Sequence, residues 1–187
     1  LARSASAGIV CRHRPAAAAD RAERVLEGGQ VAWPADGIAA FARGNGQSLR
    51  GHTLVWGQNG RFPNWFEARA GEGRDSLEKI MARHISDLVG RFRGGVRSWD
   101  VVNETLEAKD GRPDGLRRNI LLDAIGPEWV EIAFRAAHAA DPQARLVYND
   151  YGTEQAKPWK VQKRAMVLRF LESLEARGVP IHAFGVQ

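Results

Sequence analysis

Four short stretches of this chain end in side chains that could do chemistry on a carbohydrate. Gly51 to Trp56 carries His52 and Trp56, and Val96 to Glu104 ends in Asn103 and Glu104. Arg145 to Tyr151 ends in Asn149, Asp150 and Tyr151, and Val179 to Gln187 closes on Gln187. Acids and amides bond sugar hydroxyls, while Trp and Tyr rings cover the apolar face of a pyranose, so this set suggests a sugar site. Taken singly, each residue has an ordinary explanation. Glu104 could be an exposed acid at a strand end, His52 a hydrogen-bonded core histidine, and Trp56 and Trp99 packing residues.

Other chemistries lack the spacing they need. His84 and His138 sit in helical patterns at no metal-ligand interval, and Cys11 with His13 has no second pair to complete a zinc site. Gly28-Gly29 and Gly44-x-Gly46 are followed by no lysine where a phosphate loop requires one. No metal and no cofactor is therefore expected.

The candidate residues need a scaffold that brings strand ends together. From about residue 35 the chain alternates helical patterns with short apolar runs, the signature of βα units around a parallel sheet. Residues 35–46 place Ile38, Phe41 and Ala42 on one helical face and stop at glycines. Residues 48–56 read as a buried strand. In 76–92 Ser76 is a candidate cap, and Leu77, Ile80, Met81, His84, Ile85 and Leu88 form the inner stripe. A strand follows at 96–104, then a Gly/Pro/Asp loop at 108–115 and a helix at 127–141 with Pro127 in its first turn. Residues 145–151 are a strand. Residues 157–178 are a helix with Val161, Met166, Val167, Phe170, Leu171 and Leu174 inward, and 179–187 open a fourth strand. Residues 1–30 have no clean period; a helix around 16–27 is the best reading. In βα barrels the residues that act on substrate stand at the C-terminal ends of the strands, where each candidate falls.

Composition bounds the rest. The 187 residues include 44% hydrophobic residues, 27 Lys plus Arg, 22 Asp plus Glu and one Cys. This is the make-up of one globular domain, not of a disordered, collagen-like or disulfide-framework chain. The basic residues are 22 Arg and five Lys scattered among acids, so the net charge of +5 does not indicate nucleic-acid binding. No run reaches the roughly 18 apolar residues of a membrane span, and residues 1–11 lack the apolar core of a secretory signal. No membrane partner is expected, and a monomer is.

Gly-His-Thr-Leu-Val-Trp (51–56), Trp-Asp-Val-Val-Asn-Glu (99–104), Tyr-Asn-Asp-Tyr (148–151) and Ile-His-Ala-Phe-Gly-Val-Gln (181–187), in this order, closely resemble glycoside hydrolase family 10. That family is chiefly endo-β-1,4-xylanases. The resemblance spans about residues 31–187 and implies a TIM (β/α)8 barrel, here its strands three to six with their helices. It also implies retaining chemistry, with two carboxyl groups about 5 to 5.5 Å apart, one acid/base and one nucleophile. Glu104 matches the acid/base, whose proton is favoured by partial burial and a negative neighbour. Asn103 matches the residue that bonds the sugar 2-hydroxyl. His52 and Trp56 match the glycone subsite nearest the cleaved bond, Tyr151 the aglycone side, and Gln187 a neighbour of the acid/base. The implied partner is xylan or a xylo-oligosaccharide, and the implied location is secreted or periplasmic, because the polymer cannot enter a cell.

Departures from the family pattern set further expectations. The family's nucleophile stands in a Thr-Glu-(Leu or Ile)-Asp strand beyond the position of Gln187, and no such run occurs in this sequence. The chain is thus read as a fragment inactive by itself, with marginal stability from the open edges of its sheet. The family's Glu-Asn-x-Met-Lys-Trp strand has no match in residues 1–30, which stay unassigned as a shifted frame or a degenerate segment. Gly57 stands where a His usually follows the Trp, removing a glycone-side imidazole, and Gly152 where an Asn often follows the Tyr. Two alternatives remain open: a non-catalytic, degenerate barrel that binds xylo-oligosaccharides, and a relative acting on other β-1,4-glucans or aryl glycosides.

Overall fold

A computed structural model describes residues 34–187, together with the backbone of three short strands at 6–10, 24–26 and 30–32. The strands are β1 (Ser6–Val10), β2 (Arg24–Leu26), β3 (Gln30–Ala32), β4 (Ser48–Trp56), β5 (Val96–Asn103), β6 (Arg145–Asp150) and β7 (Ala183–Val186). The helices are α1 (Pro34–Gly44), α2 (Asn64–Glu67), α3 (Arg74–Arg91), α4 (Ile120–Ile125), α5 (Trp129–Ala140) and α6 (Pro158–Glu175).

Five strands form one sheet in the order β1-β4-β5-β6-β7, every neighbouring pair parallel. Parallel neighbours need crossover connections, which the helices supply. A sheet covered by helices buries both faces, and β5 and β6 are accordingly near-continuous runs of buried residues. All C-terminal strand ends therefore meet at one rim.

Why the motif glycine at 51 is a glycine is clear from the packing of β4 on β5. A Cβ at Gly51 would lie 2.0 Å from the Trp99 ring, which is fully buried. The bare backbone lets the Trp99 indole cross under β4, and Phe92 at the end of α3 closes on it with ring centroids 6.4 Å apart. The helix stripe of α3 is as expected at Leu77, Met81, Ile85 and Leu88, with Val89 added and His84 only half-buried.

Several expectations need correction. The helix expected around 16–27 is a strand at Arg24–Leu26, paired antiparallel with β3; the remainder of that range lies outside the described residues. A fifth strand, β1, joins the sheet beside β4, from a segment that carried no recognisable pattern. On α1 the buried residues are Ala39 and Ala42, whereas Ile38 and Phe41 are 42% and 63% exposed. Small residues let α1 lie close, so the larger side chains of the apolar arc point away. Ser76 does not cap α3: the helix starts two residues earlier, after Gly73, and the Ser76 hydroxyl donates to Glu72 Oε2 at 2.5 Å. On α6 Val161 is exposed and Lys163 is buried, for reasons that belong to the site. The short helix α4 was not foreseen. Asn119 caps it by accepting from the N–H groups of Leu121 and Leu122.

Candidate active site

β5 stops at Asn103, and the next residue, Glu104, has φ 53°. A side chain other than glycine in the left-handed region costs about 1–3 kcal/mol unless its surroundings over-determine it. Here they do. The Glu104 N–H donates to the Asn149 carbonyl at 2.9 Å, and the Glu104 carbonyl accepts from Arg117 Nε at 2.9 Å. The Arg117 N–H in turn donates to the Thr105 carbonyl at 2.7 Å. This turn takes the half-buried Glu104 carboxylate to the end of β4, where Trp56 Nε1 donates to Oε2 at 3.2 Å. The Arg61 guanidinium stands 4.7 Å from the centre of the Trp56 ring, a cation–π contact on that indole.

Beside Glu104, Asn103 is buried and its orientation is fixed twice. Its Oδ1 accepts from Asn149 Nδ2 and from Gln187 Nε2, both at 2.8 Å. Because the oxygen is so used, the amide nitrogen must be the free end, and the buried Nδ2 has no partner among the described residues. Leaving a buried donor unpaired costs roughly 1–3 kcal/mol, an expense that a ligand hydroxyl would remove.

His52 is held from below. Its Nδ1 lies 2.7 Å from Asp100 Oδ2, and a carboxylate can only accept, so Nδ1 carries the proton. Asp100 is buried and also takes Arg50 through Nε at 3.0 Å and Nη2 at 2.7 Å to Oδ1. Arg50 Nη2 reaches on to Asn149 Oδ1 at 3.3 Å. His52, Asp100, Arg50, Asn149, Asn103 and Gln187 thus form one continuous polar chain across the rim.

Tyr151 joins through a second group of charges. Its hydroxyl donates to Glu107 Oε2 at 3.1 Å, and Arg117 Nη2 lies 3.5 Å from the same oxygen. The Lys163 ammonium stands 4.3 Å from the centre of the Tyr151 ring, 3.0 Å from Asp150 Oδ1, and donates to the Leu106 carbonyl. These contacts account for a buried lysine on α6. Burial pushes the Glu107 carboxyl up, but the Lys109 N–H, the Tyr151 hydroxyl and the charges of Arg117 and Lys163 outweigh it and hold the group below its ordinary value. Burial and the Glu107 charge raise the Tyr151 phenol, so it remains a donor. Burial also raises Asp150, against the opposing pull of Lys163 and Tyr148.

All six expected site residues, His52, Trp56, Asn103, Glu104, Tyr151 and Gln187, therefore belong to one connected rim. Gly57 behaves differently from expectation. A Cβ there would come within 3.0 Å of the buried Trp129 ring and 3.3 Å of Thr105 Oγ1, so position 57 faces the core and not the His52 side. The supports Arg50, Asp100, Glu107, Arg117 and Lys163 carried no signal of their own except for Asp100, which stands inside the Trp-Asp-Val-Val-Asn-Glu motif. No group of acids, histidines and cysteines able to hold a metal occurs among the described residues. A hollow of about 480 Å³ lies by Ser48, Val96 and Arg145, where β4, β5 and β6 begin, at the rim opposite these side chains.

Known proteins resemble this chain in sequence and in fold. The model for glycosyl hydrolase family 10 matches residues 22–187. Endo-1,4-beta-xylanase A of Caldicellulosiruptor sp. (strain Rt8B.4) is 42% identical over 170 residues, covering 86% of this chain and 24% of that enzyme. The GH10 structure from Paenibacillus barcinonensis superposes with TM-score 0.75 at 34% identity, over 96% of this chain and 52% of the other. Xylanase 10B from Thermotoga petrophila RKU-1, solved with xylobiose, superposes with TM-score 0.72 at 35% identity, over 82% and 44%. The chain spans less than half the length of the curated relatives it matches. The parallel sheet and its helices are part of a TIM (β/α)8 barrel, and the chain belongs to glycosyl hydrolase family 10.

Proposed function

We propose that these residues form the acid/base side of a retaining endo-β-1,4-xylanase site that cleaves internal bonds of xylan. The observation that carries this reading is the pairing of a half-buried Glu104, gripped by the Trp56 indole, with a neighbouring amide whose free donor has no partner among the described residues. In the first step a carboxylate nucleophile attacks the anomeric carbon while Glu104 gives its proton to the departing glycosidic oxygen. In the second Glu104 takes a proton from water, which attacks the same carbon and releases the nucleophile. The Asn103 Nδ2–H is suited to the sugar 2-hydroxyl, a bond that tightens as positive charge spreads over the ring. His52 and Trp56 line the glycone side, Tyr151 offers its ring on the aglycone side, and Gln187 keeps Asn103 oriented.

The nucleophile is not among these 187 residues, so the chain alone binds substrate but does not complete the first step. Because the substrate is a polymer, the enzyme acts outside the cytoplasm, secreted or periplasmic, and as a monomer. Incubating the purified chain with xylohexaose tests the reading by binding and by product analysis together. The expected result is saturable binding without release of shorter sugars. Robust release of reducing ends, or no binding at all, would overturn it.

A further inference from the structure

Among the described residues Glu104 alone, glycines apart, has φ in the left-handed region. Glycine is the usual occupant there because it lacks a Cβ, but a glycine would have no carboxyl to give a proton. The turn must therefore be held from outside, through the N–H and the carbonyl of residue 104. The N–H continues the pairing of β5 with β6, a contact that any residue's backbone would make. The carbonyl is different, for a side chain takes it: Arg117 Nε, 13 residues further along. Residues 105–107 and 115–117 run antiparallel, with the Arg117 N–H on the Thr105 carbonyl at 2.7 Å and the Glu107 N–H on the Gly115 carbonyl at 2.9 Å, around a bridge between Leu106 and Leu116. Both leucines are buried, so a slip of one residue would expose them, and the register that sets Arg117 beside Glu104 is fixed. At its far end the guanidinium is oriented by Glu107, whose Oε2 lies 3.5 Å from Nη2, with 12% and 18% of the two side chains exposed. The donors of a guanidinium are fixed in one plane, so capture of Nη2 aims Nε. Glu107 is itself held by the Lys109 N–H at 3.2 Å and the Tyr151 hydroxyl at 3.1 Å.

We propose that Arg117, oriented by Glu107, is the positioning residue of the acid/base: its grip on the Glu104 carbonyl holds the turn that presents the carboxyl to the Trp56 indole and to substrate. The proposal rests on the reading of Glu104 as the acid/base of a xylan site. Arg117 acts through Glu104 and touches no sugar. Released from Arg117, residue 104 leaves the left-handed region for ordinary backbone angles, and its carboxyl turns away from Trp56 Nε1. Because the Tyr151 hydroxyl and Arg117 share Glu107 Oε2, the aim of the acid/base is also tied to the Tyr151 side of the rim.

The test follows the Trp56 indole N–H in the ¹⁵N spectrum of the 187-residue chain, because that group donates to Glu104 Oε2. The signal is assigned by its disappearance in W56F, and E104A marks where it lies once the carboxylate is gone. The expected result is that R117Q moves the Trp56 signal most of the way to the E104A position while the buried Trp99 signal stays in place. R117K, which keeps a charge and a donor without the planar fork, should return part of the shift, and E107Q should move the signal the same way by less. A scaffold role alone would lower the unfolding midpoint of R117Q and leave the Trp56 signal where it was, and that result would overturn the proposal. Should R117Q not fold, E107Q decides, and a stationary Trp56 signal there would overturn it. Calorimetry of the unaltered chain with xylohexaose separates the two readings. Binding, with Trp56 stationary in R117Q, would remove the positioning role and leave the xylan site standing; no binding would overturn both.

Discussion

Asp100 carries more of the rim than its position inside a run of valines suggests. It is buried and satisfies both His52 and Arg50, so Asp100→Asn removes the charge that two donors share. Arg50 keeps partial access to water, which softens the loss, and a cost of about 2 kcal/mol is expected from charge-assisted hydrogen bonds of this kind. Urea unfolding of the variant measures it. The residues proposed to meet substrate could be picked out in the sequence because each stands in one of four distinctive strand motifs. Of their supports only Asp100 and Asn149, which stand inside those motifs, were legible. Arg50 and Asn149, or Glu107 and Lys163, are tens of residues apart and become partners only when parallel strands align their ends, a relation no local spacing records.

Between elements, β4 and β5 depend on one close approach. Gly51→Ala puts a methyl group into the Trp99 ring, which α3 prevents from moving away, and overpacking of this kind costs about 1–3 kcal/mol. Loss of the Asn119 cap is the parallel case for α4. Asn119 accepts from two helix N–H groups and donates to the Gly57 carbonyl at 3.1 Å, so Asn119→Ala should cost about 1–2 kcal/mol. Both are read from shifts in the unfolding midpoint. At this scale β4 matched its expected limits because Gly46 before it and Gly57 after it punctuate the chain. The inner face of α1 did not, since periodicity marks an apolar arc without saying which part of it meets a neighbour. Likewise α4 is too short to show a helical period, and β1 comes from residues with no pattern at all.

For the molecule as a whole, the junction of β6 with the segment entering β7 contains a proton-sensitive link. The His182 Nδ1 accepts from the Leu146 N–H at 2.9 Å, which requires that nitrogen to be unprotonated. Burial, with the nearby His138 and Arg145, holds this imidazole below its ordinary 6.5. Below pH 6.5 the unfolded chain therefore binds more protons than the folded one, and stability falls as pH drops towards the folded-state value. Because His182 is largely exposed, the effect should be modest. His182→Gln should flatten the acid side of a stability-against-pH curve, and an unchanged slope would place the dependence elsewhere. The fold class was legible at this scale from the alternation of helical and strand patterns, while the family came from motifs that composition and charge do not reveal.

The central claim is that Glu104 is the acid/base of a xylan-cleaving site. Its most direct test extends the chain past Gln187 with the matching C-terminal segment of the Thermotoga petrophila enzyme and compares kcat on xylohexaose with and without Glu104→Gln. The account predicts a fall of about 10²–10⁴-fold, as for loss of a positioned proton donor, and a much smaller effect on the glycosylation step of an aryl xyloside whose leaving group needs no proton. A Glu104→Gln protein that cleaves xylohexaose at the unaltered rate would contradict it.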